Sequence, residues 1–144
     1  MAPLIAFVDS SVLLRVVLNQ PDPLREWNSI DVGVVSALTH LEVTRTLDRL
    51  WQQKQLTEEV MLAKTAVAGE MMNRMITLEL DQRVIDMASQ SFPEPLATLD
   101  SLHLASALLF REAQPADQPP MVLATHDHQL ATAARAMNFT VLGA

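Results

Sequence analysis

The stretch Leu4-Ile5-Ala6-Phe7-Val8-Asp9 decides the fold of this chain. Five apolar residues in a row, without polar alternation, read as a strand covered on both faces, the condition of a strand inside a parallel sheet. The run stops at a carboxylate. A second run of the same kind, Met121-Val122-Leu123-Ala124, is followed by Asp127. In open α/β sheets the ligand crevice forms outside the carboxyl ends of the strands. Asp9 and Asp127 are therefore expected to line one crevice.

Between these runs, strand and helix patterns alternate. A helix over Ser10 to Leu18 is broken by Asn19-Gln20-Pro21-Asp22-Pro23, and a second helix is expected to carry Leu24 and Trp27. Val32 to Val35 reads as a short strand, with Ser36 as N-cap of a helix reaching Trp51. Thr57, followed by Glu58 and Glu59, caps a helix whose Val60, Ala63, Val67 and Met71 keep helical spacing. Met75 to Leu80 reads as a strand, and Asp81 caps a helix bearing Val84, Ile85 and Ala88. Leu99 to Glu112 is apolar nearly all round, as a helix buried by its neighbours would be. A helix over Gln129 to Met137 and a strand near Thr140 to Leu142 complete the series. Repeated βα units require a parallel sheet with right-handed crossovers and helices on both faces. The expected fold is α/β, one three-layer α/β/α domain over residues 1–144, with a central parallel sheet of four to five strands.

Composition narrows the function classes. A chain of 144 residues, 49% hydrophobic, can bury a core without staples. With no cysteine, disulfides and thiolate metal sites are excluded. The first apolar run is too short for a membrane span and lacks a basic flank, so a cytoplasmic location is expected. The net charge of −7 argues against a nonspecific nucleic-acid binder. It does not oppose an acidic site whose charge is inverted by bound cations. Arg and Lys must then stand locally along the substrate path, because bulk attraction is missing.

Two further acids join the pair. Asp100 falls in the first turn of the apolar helix, and Glu42 in the helix after Ser36. Clustered carboxylates raise one another's pKa unless a cation neutralises them. Hard oxygen ligands suit Mg²⁺ or Mn²⁺ and not zinc or copper. Metal-dependent chemistry on phosphate is the expectation. Each acid taken singly also has an ordinary reading. Asp9 and Asp127 can cap helices, Asp100 can favour a helix dipole behind a Thr98 cap, and Glu42 can pair with Arg45. Ser11 is placed to orient a carboxylate or a metal-bound water by hydrogen bonds, and Thr125 can do the same or else cap a helix. His103 lies one turn from Asp100, and a core or boundary role suits it better than ligation. His126-x-His128 lacks a third ligand.

Other phosphate chemistries lack their motifs. No Gly-x-Ser-x-Gly elbow accompanies Ser10-Ser11. No Gly-rich P-loop or dinucleotide fingerprint occurs, and Ser11 stands where a phosphoaspartyl hydrolase would carry its second Asp.

The words around the four acids are Phe7-Val8-Asp9-Ser10-Ser11-Val12-Leu13-Leu14, Ser36-Ala37-Leu38-Thr39-His40-Leu41-Glu42-Val43, Leu99-Asp100-Ser101-Leu102-His103-Leu104-Ala105-Ser106-Ala107 and Ala124-Thr125-His126-Asp127. In that order they resemble the PIN domain, most closely its VapC-like toxin branch, from about Leu4 to about Leu142. The resemblance implies a Mg²⁺- or Mn²⁺-dependent endoribonuclease, the toxin of a toxin–antitoxin pair. It implies Asp9, Glu42, Asp100 and Asp127 as catalytic metal-binding residues, RNA as substrate, a cognate antitoxin and a homodimer. Trp27, Trp51 and Leu18 would offer such a partner a groove, or else finish the core; Met71, Met72 and Met75 suit core packing better than an interface. Two other classes stay open: a PIN-like module that binds RNA or protein without cutting, and a small-molecule phosphatase.

Overall fold

The computed structural model describes residues 2–144. Strand β1 (Ile5–Val8) is buried at all four positions, as its unbroken apolar run requires. It lies between β2 (Val32–Ser36) and β4 (Val122–Ala124), with β3 (Ile76–Leu78) and β5 (Val141–Leu142) at the edges. All pairings are parallel, in the order β3-β2-β1-β4-β5. Phe7 stands opposite Val34 on one side and Leu123 on the other. The chain winds one way from β1 to β3 and the other way from β4 to β5. The order therefore reverses between β1 and β4, where such sheets form their crevice.

The two-residue period of β1 divides the core. Ile5 and Phe7 pack with Leu104, Leu108, Leu123 and Leu130 on one face. Ala6 and Val8 pack with Val12, Leu13, Val43 and Leu47 on the other. Helices α1 (Ser10–Val17), α2 (Ala37–Gln52) and α3 (Glu58–Asn73) cover the second face. Helices α5 (Thr98–Ala113) and α6 (His128–Ala136) cover the first, with α4 (Gln82–Ala88) packed on α5. Each fully buried Leu or Phe contributes about 1.5–3 kcal/mol relative to exposure. The three-layer arrangement expected from the sequence is the one found, with five strands.

Local signals act where the sequence places them. Ser36, Thr57 and Asp81 each accept a backbone N–H from the first turn of the helix they cap. Two expectations need correction. The helix around Leu24 and Trp27 is only a 3₁₀ turn, Trp27–Ser29. Asn19 and Asp22 take left-handed backbone angles there, φ 52° and 56°, so the Pro-rich segment turns and does not propagate a helix. Thr98 is the first helical residue of α5 and not its cap. Ala97 holds the cap position with no side-chain acceptor, while the hydroxyl of Ser101 donates to the Thr98 carbonyl at 2.6 Å.

Candidate active site

Asp9 follows β1 at the N-cap position of α1, yet its side chain caps nothing. Its Oδ2 instead accepts two hydroxyls, Ser11 Oγ at 2.7 Å and Thr125 Oγ1 at 2.9 Å. Each hydroxyl also accepts a backbone N–H from the loop after β4: His126 donates to Ser11 at 3.0 Å and Asp127 to Thr125 at 3.0 Å. The Asp9 N–H donates to the Ala124 carbonyl at 3.0 Å and closes the end of β1 on β4. Asp9 and Thr125 are both buried. The carboxylate is thus held by one oxygen, and among the described residues Oδ1 accepts no hydrogen bond. The orienting role expected of Ser11 and Thr125 has a geometric basis.

Asp127 is the N-cap of α6, its Oδ1 accepting from Gln129 N at 2.8 Å and Leu130 N at 3.1 Å. The ordinary capping reading holds for that oxygen, and Oδ2 accepts no hydrogen bond among the described residues. Asp100, at the third position of α5, is half-buried. Its carboxyl is pushed up to about 6, first by burial, then by the charges of Asp127, Asp9 and, more weakly, Glu42, against an opposing pull from His103. The three carboxylates whose charges act on Asp100 are the other three acids expected from the sequence.

Glu42 departs from the ordinary reading. No Arg45 pair forms among the described residues; Oε1 instead meets His103 Nε2 at 2.5 Å. His103 is wholly buried on the inner face of α5, edge-on to Phe7 with ring centroids 6.3 Å apart. Its Nδ1 has no partner. Burial, the largest influence, lowers its pKa, but the bond to Glu42 and the charges of Glu42, Asp9 and Asp100 outweigh it and leave a net rise. Ligand atoms of Asp9, Glu42 and His103 all lie within 4.8 Å of one another, a tighter group than any including Asp100 or Asp127. A core or boundary role was expected of His103; it is a core residue, and its ring also stands beside the carboxylates of Asp9 and Glu42. Its position one turn from Asp100 was the available signal, and its partner 61 residues away was not legible.

The donor set fits a hard divalent cation. The acids are oxygen donors, Asp9 Oδ1 lacks a hydrogen-bond donor, and no Arg or Lys pairs with any of the four among the described residues. The Asp100 carboxyl is pushed up first by burial and then by the neighbouring negative charges of Asp127 and Asp9, which a cation would offset. A partner groove and a place in the core were the two alternatives for the tryptophans, and the two residues differ. Trp27 and Leu18 pack partly buried against the α1–α3 core. Trp27 lines a hollow with Met71 and Met75, whereas Trp51 stands exposed at the end of α2. A Cβ on Gly33 beside that hollow would meet Met75 Cγ at 2.9 Å, so the Met75 side chain would have to shift. No helix among the described residues is long and apolar enough to cross a membrane.

The site sits on a five-strand parallel sheet of the doubly wound α/β class, with Asp9 and Asp127 following the two strands at its β1–β4 switch point. The family model for the PIN domain matches residues 6–136, and the chain belongs to that family. It is similar to ribonuclease VapC47 of Mycobacterium tuberculosis, with 26% identity over 140 residues, covering 92% of each chain. Ribonuclease VapC46 of the same species is 31% identical over 104 residues, 70% of this chain and 72% of that one. The crystal structure of FitAcB from Neisseria gonorrhoeae matches with a TM-score of 0.61 at 18% identity, over 95% of this chain and 96% of that one. PAE2754 from Pyrobaculum aerophilum matches at 0.57 and 18% identity, over 96% and 89%. At that identity the two structures speak for the fold alone.

Proposed function

We propose that this chain is a single-domain endoribonuclease, the toxin of a toxin–antitoxin pair, acting with Mg²⁺ or Mn²⁺ at Asp9, Glu42, Asp100 and Asp127. The observation that supports it most is the half-satisfied Asp9 carboxylate, aimed by two hydroxyls into a crevice with three more acids and no Arg or Lys partner. The matching relatives named as ribonucleases favour RNA over a small phosphate ester.

Asp9 and Asp100 would be the main ligands of the ion, with the free oxygen of Asp127 and the Glu42 carboxylate completing or extending the set. When bound, such an ion supplies charge stabilisation on phosphate and a more acidic water at neutral pH. The remaining work belongs to the chain. Ser11 and Thr125 fix the direction of Asp9, and their hydroxyl oxygens, accepting the His126 and Asp127 N–H groups, hold the β4–α6 loop against β1. His103 holds Glu42 at the inner wall of the crevice. The family resemblance supports a cytoplasmic protein, a homodimer and a cognate antitoxin as partner.

The deciding experiment is cleavage of a mixed RNA substrate by wild type and by Asp9→Asn, with folding checked by thermal melt. Cleavage by the wild type alone is expected, and a folded Asp9→Asn protein that cuts at the wild-type rate overturns the assignment. Hydrolysis of a generic phosphate monoester with no RNA cleavage would move the protein to the phosphatase class. RNA binding without any cleavage in Mg²⁺ would leave a binding module.

A further inference from the structure

The chain carries 10 Lys and Arg against 17 Asp and Glu, so attraction for a polyanion must be local. Several of the cations are committed elsewhere. Lys64 donates to the Val17 carbonyl, and Arg111 lies over the Phe139 ring and bonds the Met137 carbonyl. Arg135 bonds the Ala144 carbonyl, and Arg83 faces Asp81. Arg45, Arg49 and Lys54 follow one another along the exposed outer part of α2 and its end.

Arg15 and Arg25 are placed differently. They line one cleft of about 390 Å³, between α1, the turn-rich segment after it and the ends of β4 and β5, together with Asp22, Glu26, His126 and Gly143. Arg15 Nη1 donates to the backbone carbonyl of Asp22 at 3.0 Å, which fixes the guanidinium while leaving its other N–H groups available. Neither arginine forms an ion pair with Asp22 or Glu26, or with any other acid, among the described residues. His126 joins this cleft to the acids. Its backbone N–H donates to Ser11 Oγ, and Ser11 donates to Asp9 Oδ2. Its ring Nδ1 meets the Gly143 carbonyl at 3.0 Å and braces the far wall. The cleft thus opens two hydrogen bonds from the carboxylate that the proposed chemistry depends on.

We propose that this cleft is a phosphate subsite for the RNA strand. Arg15 and Arg25 grip a backbone phosphate flanking the one placed at the acids. The inference rests on the ribonuclease reading. Two unneutralised guanidiniums, one already oriented, suit the planar two-point recognition of a phosphodiester better than a flexible amine would. They supply the local attraction that the acidic surface lacks. Asp22 and Glu26 on the same walls oppose a second phosphate there, so the subsite takes one.

The test uses Asp9→Asn as a non-cutting background for binding, and the wild-type background for cleavage. Arg15→Gln and Arg25→Gln are introduced into each, with Arg49→Gln as control. Each cleft variant should raise KM and weaken binding of a single-stranded RNA on the order of tenfold, the effect of one lost charge-assisted contact. The loss should fall on KM more than on kcat. The slope of log affinity against log salt should flatten by about 0.7 for each phosphate contact removed. Arg15→Lys should recover part of the binding, since it keeps the charge without the fork. A melt within a few degrees of the parent excludes misfolding as the cause. If the wild type cuts RNA but the cleft variants match Arg49→Gln in KM and salt slope, the subsite is wrong and the ribonuclease reading stands. If the wild type neither cuts nor binds RNA, both fall together.

Discussion

His103 Nε2 and Glu42 Oε1 stand 2.5 Å apart and tie α5 to α2 across the carboxyl edge of the sheet. The imidazole is wholly buried and the carboxylate partly so. A hydrogen bond to a charged group contributes about 1.5–3 kcal/mol, and losing one partner strands the other. His103→Ala should also leave a cavity against Phe7. A destabilisation of about 2–4 kcal/mol is expected by denaturant titration, and His103→Gln should cost less by keeping a donor. A His103→Ala midpoint equal to wild type would show that the contact contributes nothing.

The metal-free protein should be more stable in mild acid than at neutral pH. Asp100 has a folded pKa of about 6 against 3.8 for the unfolded group, so the folded state takes up the extra proton between those values. Stability therefore falls as pH rises from about 4 to about 6. His103 acts with the same sign. Its folded pKa lies above 6.5, so its contribution is present below that value and is lost as pH rises through the folded one. Melts in EDTA at pH 5 and pH 7.5 test this, and a higher melting temperature at pH 7.5 contradicts it.

Asp100→Asn should remove the first part of that pH dependence and stabilise the metal-free protein near neutrality. Mg²⁺ should reverse the order, because only the wild type keeps every ligand. At tenfold excess over its dissociation constant the ion adds about 1.4 kcal/mol, a shift of a few degrees. The readout is four melts, each protein with EDTA and with Mg²⁺. A metal-free variant melting below wild type, with no Mg²⁺ shift in either, shows that the acids do not form a metal site.

Thr125→Val should slow cleavage more than its conservative size suggests. The change removes a donor to Asp9 and orphans the Asp127 N–H, so two acids lose their orientation together. Loss of such an orienting partner lowers metal affinity or activity by about 10–100-fold. Ser11→Ala should act similarly through Asp9 and the His126 N–H. Single-turnover rates at saturating Mg²⁺, with a Mg²⁺ titration, separate affinity from rate; wild-type values for both variants would exclude the relay.

Cleavage should require Mg²⁺ or Mn²⁺, while Ca²⁺ binds with little turnover because it tolerates longer and looser coordination. Full activity after exhaustive chelation would exclude metal chemistry.

By itself the sequence determined the sheet, the crevice and most of the caps. An unbroken apolar run specifies burial on both faces, and a Ser, Thr or Asp before a helix satisfies its own first turn, so these features depend on neighbours in the chain. Local patterns also placed Asp9 and Asp127 at strand ends. They overreached at Leu24 and Trp27, where left-handed turns at Asn19 and Asp22 prevail, and at Thr98, where the chain enters α5 one residue earlier. Only the tertiary structure decided which atoms meet. Ser11 and Thr125, 114 residues apart, converge on one oxygen of Asp9 because β1 pairs with β4 in a particular register. Glu42 turns to His103 and not to Arg45 because α2 and α5 approach the same sheet edge from opposite layers. Arg15 and Arg25 share a cleft because the Pro-broken segment folds back on α1. Periodicity records which way a side chain faces; its partner across the sheet depends on register, twist and layer packing, which no local pattern contains.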